Sequence, residues 1–186
     1  KNTYFKKFIK KNKFKEIYNK NYTTTNMVYS MFLAKKYIDD DILVVYGDII
    51  FNEDVYELLK NKKNIIPANI KWYKNWIGRM GKINTLKDAE TFKEKNNKLI
   101  EIGKKIDKKN LPKYQFMGIF KITFENFKIL YSLFKSNKNV KIDFTSFINL
   151  SIKKKKIIFH VKKYQKEWFE IDSENDIKFA TKNLDY

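Results

Sequence analysis

Apolar residues along this chain recur at helical spacing in some stretches and run without interruption in others, and the two kinds of stretch alternate. Phe5, Phe8, Ile9, Phe14 and Ile17, set among lysines, predict an amphipathic helix running into a short extended segment. A polar turn from Tyr22 to Thr25 leads to a helix that Thr25 or Asn26 can cap. Met27, Met31, Phe32, Ala34 and Tyr37 form its apolar face, and Asp39, Asp40 and Asp41 end it. Ile42 to Tyr46 is an unbroken apolar run, the pattern of a strand covered on both faces in a parallel sheet; it stops at Gly47-Asp48, and a helix from Glu53 to Lys60 follows. Asn64 to Ile70 predicts another strand, which Pro67 confines to an edge or a bulge.

Residues 71–96 show no regular element. Lys98 to Gly103, Tyr114 to Ile122, Ile157 to Val161 and Trp168 to Ile171 predict strands, and Phe124 to Phe134 and Asp143 to Ile152 predict helices. Ser173 with Asp176 gives a capping signal for a closing helix. The alternation of strands and helices, with no internal repeat and no linker, argues for one α/β domain. With 43% hydrophobic and 17% aromatic residues, a chain of 186 residues can bury one core.

The absence of cysteine excludes disulfides and thiolate metal sites and suits a reducing, cytoplasmic setting. No apolar run approaches the roughly 18 residues of a membrane span. A formal charge of +19 would ordinarily point to a nucleic acid or an anionic surface. Against that, only Arg79 among the 40 Lys+Arg residues is an arginine, whereas readers of bases and phosphates favour the guanidinium fork. The lysines spread along the whole chain among many asparagines, as solvated faces would; an anion-binding surface is the alternative, and nucleic acid is not the expected partner.

Two local patterns could carry chemistry. Asp48 follows a buried strand, rigidly held yet facing solvent, as a ligand for a hard cation should be. In Trp168-Phe169-Glu170-Ile171-Asp172, strand alternation places Glu170 and Asp172 on one face, where two carboxylates repel unless a cation or a basic group joins them. Capping a turn and starting a helix are the plain alternatives. Trp72, Trp76 and Arg79 would share one face of a helical turn, the tryptophans serving a core or a pocket and Arg79 clamping an anion. Lys104 and Lys105 end a strand where they could meet a phosphate. His160 sits in an apolar strand and reads as structural. The glycines at 47, 78, 81, 103 and 118 form neither a GxGxxG nor a Walker loop.

In their order, several segments resemble the nucleotidyltransferases that move NMP from an NTP to a small phosphorylated molecule, in the branch of phosphocholine, aminoethylphosphonate and phosphoglutamine cytidylyltransferases. The segments are Asn26-Met27-Val28-Tyr29-Ser30, Tyr46-Gly47-Asp48-Ile49, Trp72-x-x-x-Trp76-x-x-Arg79, Asp88-Ala89-Glu90-Thr91, Glu101-Ile102-Gly103-Lys104-Lys105, Tyr114-Gln115-x-Met117-Gly118, Asp143-x-Thr145-Ser146 and Trp168-x-Glu170-Ile171-Asp172. The resemblance implies a Rossmann-like α/β fold with a mixed, mainly parallel sheet flanked by helices. It implies Mg²⁺ held by Asp48 and Asp172, and a nucleotide pocket, for CTP or another NTP, formed by Asn26, Ser30 and Gly47. Lys104 and Lys105 would be catalytic, and Trp72, Trp76, Arg79, Glu90 and Glu170 would face the acceptor. Such an acceptor would be phosphocholine or a similar phosphate or phosphonate, with a sugar 1-phosphate as an alternative; a non-catalytic basic module is the rival of another class. The family's opening Leu-Ala-Ala-Gly-x-Gly-x-Arg-type loop has no counterpart here. The expectation is therefore a single domain over residues 1–186, begun at Lys1 without a methionine, that lacks a first βαβ segment of about 70 to 80 residues. Where many relatives carry an Asp before Trp72, this chain has Ile70-Lys71.

Overall fold

In the computed structural model, which describes residues 3–107 and 110–184, seven strands form one mixed sheet with helices on both faces, and two more form a small ribbon beside it. The strands are β1 (Ile42–Val45), β2 (Ile49–Phe51), β3 (Ile65–Asn69), β4 (Glu90–Lys95), β5 (Lys98–Lys105), β6 (Gln115–Phe116), β7 (Ile119–Ile122), β8 (His160–Tyr164) and β9 (Trp168–Glu170). The large sheet runs β1-β7-β3-β8-β5-β4, with β6 extending the partner of β3, and the ribbon pairs β2 with β9. The helices are α1 (Thr3–Lys11), α2 (Met27–Leu33), α3 (Val55–Leu59), α4 (Trp72–Asp88), α5 (Phe124–Asn137), α6 (Phe144–Lys153) and α7 (Glu174–Asn183).

The fold class is as expected, but the balance of strand directions is not. Among the described strands β3 and β8 make the parallel pair, and the other ladders are antiparallel. Hairpins explain part of this: Asn96 and Asn97, both with positive φ (53° and 56°), turn β4 straight into β5 in the backbone twist that two-residue hairpins favour.

Adjacent residues of β3 point to opposite faces, and each face has its own core. On one side Ile66 and Ala68 pack with α2, α5 and α6, where Phe32 lies 5.4 Å from the ring of Phe127, 5.1 Å from Phe134 and 6.0 Å from Phe147. On the other side Ile65 packs with α3, with Trp72 and Trp76 of α4, and with Trp168 of β9. Each buried aromatic removes enough apolar surface from water to stabilise the fold by about 1.5 to 3 kcal/mol.

Several expectations are corrected. β1 pairs antiparallel with β7, not in a parallel ladder, and in this chain Leu43 and Val45 are 42% and 43% exposed and line a cleft. β3 is fully buried and central. Pro67 is accommodated because β3 pairs with β7 at Ile65 and with β6 at Ala68 and Asn69, leaving no pair at Pro67 on that side. Residues 71–96 are not irregular. They form α4, kinked where Gly81 takes φ 77° and ψ 163°, and then β4. α2 ends at Leu33 and Tyr37 falls in a 3-10 turn (Lys35–Tyr37) beyond it; Val28 and Phe32 are buried, whereas Met27 and Tyr37 are exposed. The segment expected to be one strand from Tyr114 to Ile122 breaks into β6 and β7 at Met117-Gly118. In the first predicted helix Phe8, Phe14 and Ile17 stay exposed; Lys1, Asn2 and the side chain of Phe5 lie outside the described residues. Among the described residues no helix is long and apolar enough to cross a membrane.

Candidate active site

β1 delivers Tyr46 to the junction of two clefts. The backbone N–H of Tyr46 donates to the carbonyl of Gly118 at 2.8 Å, and its ring lies 5.8 Å from Phe116 and 5.9 Å from Phe144. The larger cleft, of about 760 Å³, runs along the outer face of β1 and is lined by Asn26, Met27, Ser30, Met31, Leu43, Val45, Gly47 and Asp48. The smaller, of about 230 Å³, shares Met27 and Tyr46 with it and is otherwise bounded by Trp76, Asp88, Glu90, Gln115, Phe116, Asp143, Thr145 and Glu170. Four carboxylates thus surround one small space in a chain of net charge +19.

The acids are held by ordinary local devices. Asp143 caps α6, accepting from the N–H of Ser146 at 2.7 Å and from the hydroxyl of Thr145 at 3.0 Å. β9 presents Glu170 through its pairing with Ile49, and the next backbone N–H, of Ile171, donates to the carbonyl of Asp48 at 2.8 Å. The β2–β9 ribbon therefore brings Asp172 within one residue of Asp48 across the pair, although they are far apart in sequence. Asp48 is exposed, and so is Asp172, its side chain 65% so.

Arg79 is committed to this acidic end. Its side chain is 4% exposed, and its guanidinium donates to Asp172 Oδ2 at 2.7 Å and to Glu170 Oε2 at 3.1 Å, with Asp176 Oδ2 at 3.6 Å. It joins α4 to β9 and α7 and supplies the cation that the same-face pair Glu170 and Asp172 requires. Burial is the main influence on Glu170 and raises its pKa; Arg79 pulls it down, Asp172, Asp88 and Asp48 push it up again, and the result is about 8. Burial likewise raises Glu90, with the hydroxyl of Thr145 opposing and Asp143 and Asp88 adding. Tyr46 is raised for the same reasons, by burial first and then by Asp143, Glu90, Asp48 and Glu170.

The other expected residues fall into three groups. Asn26 and Ser30 line the large cleft, but they are also wall-builders: Asn26 accepts from the N–H of Met27 at 2.7 Å to cap α2, and Ser30 accepts from Asn19 at 2.9 Å. Trp72 is buried in the core, donating to the carbonyl of Pro112 at 3.2 Å, whereas Trp76 is both core and cleft wall. The indole Nε1 of Trp76 and the Oε1 of Gln115 are buried beside the small cleft without a hydrogen-bond partner among the described residues. Lys104 and Lys105 lie outside both clefts, although Gly103, just before them, packs against Thr145 of the cleft wall. Lys104 pairs with Glu101, whose carboxyl it holds down at about 2 with help from Lys93. Asp88, Gln115, Asp143 and Thr145 belong to the site but were not singled out as site residues, although each stands in a segment that carries the family resemblance. Otherwise Asp143 is marked only as the first residue of a predicted helix, which is no sign of a site.

The donor chemistry suits a hard divalent cation. Among the described residues no group of three or more His, Cys, Asp and Glu side chains is disposed to hold a metal, but magnesium commonly takes one or two carboxylates and fills its remaining positions with water and substrate phosphate. Asp48 and Asp172 are both exposed, but Asp48 stands across from Ile171, so strand alternation alone does not set the two carboxylates on one face.

No protein-family profile matches the chain. It is 30% identical over 177 residues to CTP:phosphoglutamine cytidylyltransferase of Campylobacter jejuni, covering 86% of this chain and 69% of that protein. Its fold resembles that of the inositol-1-phosphate CTP transferase of T. maritima, with a TM-score of 0.69 and 21% identity, covering 92% of this chain and 66% of that one. A glucose-1-phosphate thymidylyltransferase-like structure from Bacillus anthracis gives a TM-score of 0.64 at 16% identity, covering 92% and 65%. The chain thus spans about two thirds of the length of the proteins it resembles. With the joined clefts, the acid-ended ribbon and this degree of identity, the chain belongs to the nucleotidyltransferases, in their cytidylyltransferase-like branch.

Proposed function

We propose that the protein transfers CMP from CTP to a small phosphorylated or phosphonate acceptor bearing an amine or ammonium group, with magnesium, and releases pyrophosphate. The observation that carries this reading is the junction at Tyr46, where a large, mostly apolar cleft meets a small one walled by acids, with Asp48 beside it. The nucleotide would lie along β1 in the large cleft, its base against Met31, Leu43 and Val45. The acceptor would place its cationic head among Asp88, Glu90, Asp143 and Glu170, against the ring of Trp76. Its phosphate would then point back towards Asp48.

In the reaction, an acceptor phosphate oxygen forms a bond to the α-phosphorus while the bond from that phosphorus to the bridging oxygen breaks and pyrophosphate departs with the electron pair. The attacking oxygen is already anionic, so no side chain has to remove a proton. What the protein must do is align the two substrates and offset negative charge. Magnesium held by Asp48 and Asp172 would neutralise phosphate charge at the reacting centre. Arg79 holds Asp172 and Glu170 in place from behind, and Lys104 and Lys105 add positive potential at the adjoining strand end. Glu90 and Glu170, raised by burial, ionise more readily when a cation arrives, which couples the acidic cleft to a positively charged acceptor.

Pyrophosphate release by the full-length protein tests this, with each of the four NTPs paired against phosphocholine, phosphoethanolamine, 2-aminoethylphosphonate, phosphoglutamine and glucose 1-phosphate, with magnesium and with EDTA. CTP with an amine-bearing acceptor should give the highest rate, abolished by EDTA. Equal rates with glucose 1-phosphate would remove the role given to the acids. No turnover with any pair, together with salt-sensitive RNA binding, would replace the enzyme with a basic binding module.

A further inference from the structure

Five lysines from three separate stretches of chain converge on another cleft, at the opposite end of β3 from the candidate active site. Lys62 and Lys63 follow α3, Lys98 opens β5, and Lys155 and Lys156 follow α6. The cleft, of about 690 Å³, includes Asn64, the residue before β3, whereas the acidic cleft includes Gln115, which pairs with Asn69 at the far end of that strand. Among the described residues no aspartate or glutamate lines it. Among the described residues none of the five lysines is paired with a carboxylate, although lysines elsewhere are, as Lys71 is with Glu167 and Lys121 with Asp41.

This grouping differs from a generally basic surface in two ways. It is concave, so the field of the five ammonium groups is focused into one volume. It is also built on fixed backbone. Asn64 donates to the carbonyl of Ile158 at 2.9 Å and accepts from the N–H of Thr123 at 2.9 Å, and the N–H groups of Lys155 and Lys156 donate to the carbonyls of Ile152 at 2.8 Å and Ser151 at 3.0 Å. His160, which pairs with Lys98 across the β5–β8 ladder, also lines the cleft. Its pKa is lowered by burial first and then by Lys63, Lys98 and Lys162, so these charges act on one point. The exposed side chains of Ile100 and Ile158 supply an apolar rim.

We infer that this cleft is a second ligand site, separate from the candidate active site, for a small molecule carrying a chain of phosphates. The volume is that of a small-molecule pocket. Ammonium groups from three directions match several phosphate charges, and the apolar rim fits a base or another nonpolar portion. The inference does not rest on the proposed transfer reaction.

His160 is the only histidine, so its imidazole gives a single NMR signal that reports on this cleft alone. The chain is titrated in EDTA, which prevents metal-dependent phosphate binding at Asp48 and Asp172, with inorganic tripolyphosphate, then with CTP and ATP, and with a single-stranded RNA. Tripolyphosphate should shift the signal saturably and raise the pKa of His160 as it offsets the lysine charges. Tighter binding of CTP or ATP would assign the source as a nucleotide; equal binding would assign the phosphate chain alone. Lys63→Gln/Lys98→Gln/Lys156→Gln should weaken binding at least about tenfold, since each substitution removes a charge-assisted contact. Lys7→Gln/Lys10→Gln/Lys11→Gln on α1 removes the same charge and should change it less than about twofold. Equal weakening by both triples, the absence of a saturable shift, or binding of RNA without tripolyphosphate would overturn the site. All six lysines are exposed, so neither triple removes buried packing.

Discussion

Replacing Arg79 with methionine tests how the acidic end of the site is held. The substitution keeps much of the aliphatic bulk and removes a guanidinium that is 4% exposed and bonded to Asp172 and Glu170, with Asp176 close by. Asp172 is 65% exposed, so its pairing contributes little after solvent screening, and the cost comes chiefly from Glu170 and Asp176, with side chains 23% and 10% exposed. At pH 6 Glu170, with a pKa of about 8, is protonated in the folded protein. There the loss is that of hydrogen bonds to largely buried acceptors, about 2 to 3 kcal/mol, or roughly 5 to 10 °C in Tm for a chain of this size. Above pH 8 the sign of the pH effect matters. Glu170 is raised above its unfolded value, so its contribution is fully present below the unfolded value and is lost as pH rises through about 8. Without Arg79 the folded pKa rises further, and the loss then continues beyond pH 8 at up to about 1.4 kcal/mol per pH unit. Urea unfolding of Arg79→Met and the parent at pH 6, 7.5 and 9 should show a gap that is constant at first and widens at pH 9; adding Glu170→Gln to Arg79→Met should remove the widening. A gap independent of pH, or one below about 1 kcal/mol at pH 6, would refute the role given to Arg79.

Other perturbations address single features. Glu170→Gln alone should flatten the fall in stability between about pH 4.5 and pH 8, seen as converging Tm values at low pH and a more stable variant at pH 8. Gly103→Ala forces a side chain onto a residue with φ +80° and sets a Cβ 2.8 Å from Thr145 Cβ, so urea unfolding should show a loss of about 2 to 4 kcal/mol. Asn64→Ala strands the carbonyl of Ile158 and the N–H of Thr123 at the start of β3 and should cost about 2 to 3 kcal/mol in the same assay. Asp48→Asn alters an exposed side chain, so its Tm should match the parent while magnesium-dependent pyrophosphate release by the full-length protein is lost; full activity would remove Asp48 from the reaction.

Local signals were legible where a few neighbouring residues decide the structure. Ser173 caps α7 as its sequence suggests, and α6 starts after Asp143 as predicted, because a helix start is settled within one turn. Where distant partners decide, the sequence misled. The run Ile42 to Val45 suits a strand of a parallel sheet, yet its partner β7 runs antiparallel to it, which no local pattern shows. The helix bearing Trp72, Trp76 and Arg79 was hidden by Gly78 and Gly81, which weaken the helical pattern although the chain only kinks. β2, three residues long, is too short to show any period and exists because β9 pairs with it.

The same distinction governs charge. A net value of +19 is a sum over the chain, and it was the even spread of the lysines that read as a solvated coat. The fold sorts that sum. Around the acidic cleft four carboxylates face one another with Arg79 behind Glu170, close enough that burial and mutual repulsion raise Glu90 and Glu170. At the other end of β3 five lysines line a cleft with no acid among the described residues. An anionic ligand therefore meets carboxyl groups at the candidate active site and lysines in the other cleft. In EDTA a phosphate chain should accordingly choose the lysine end, and magnesium should shift CTP towards Asp48; the His160 signal, read with and without magnesium, distinguishes the two destinations.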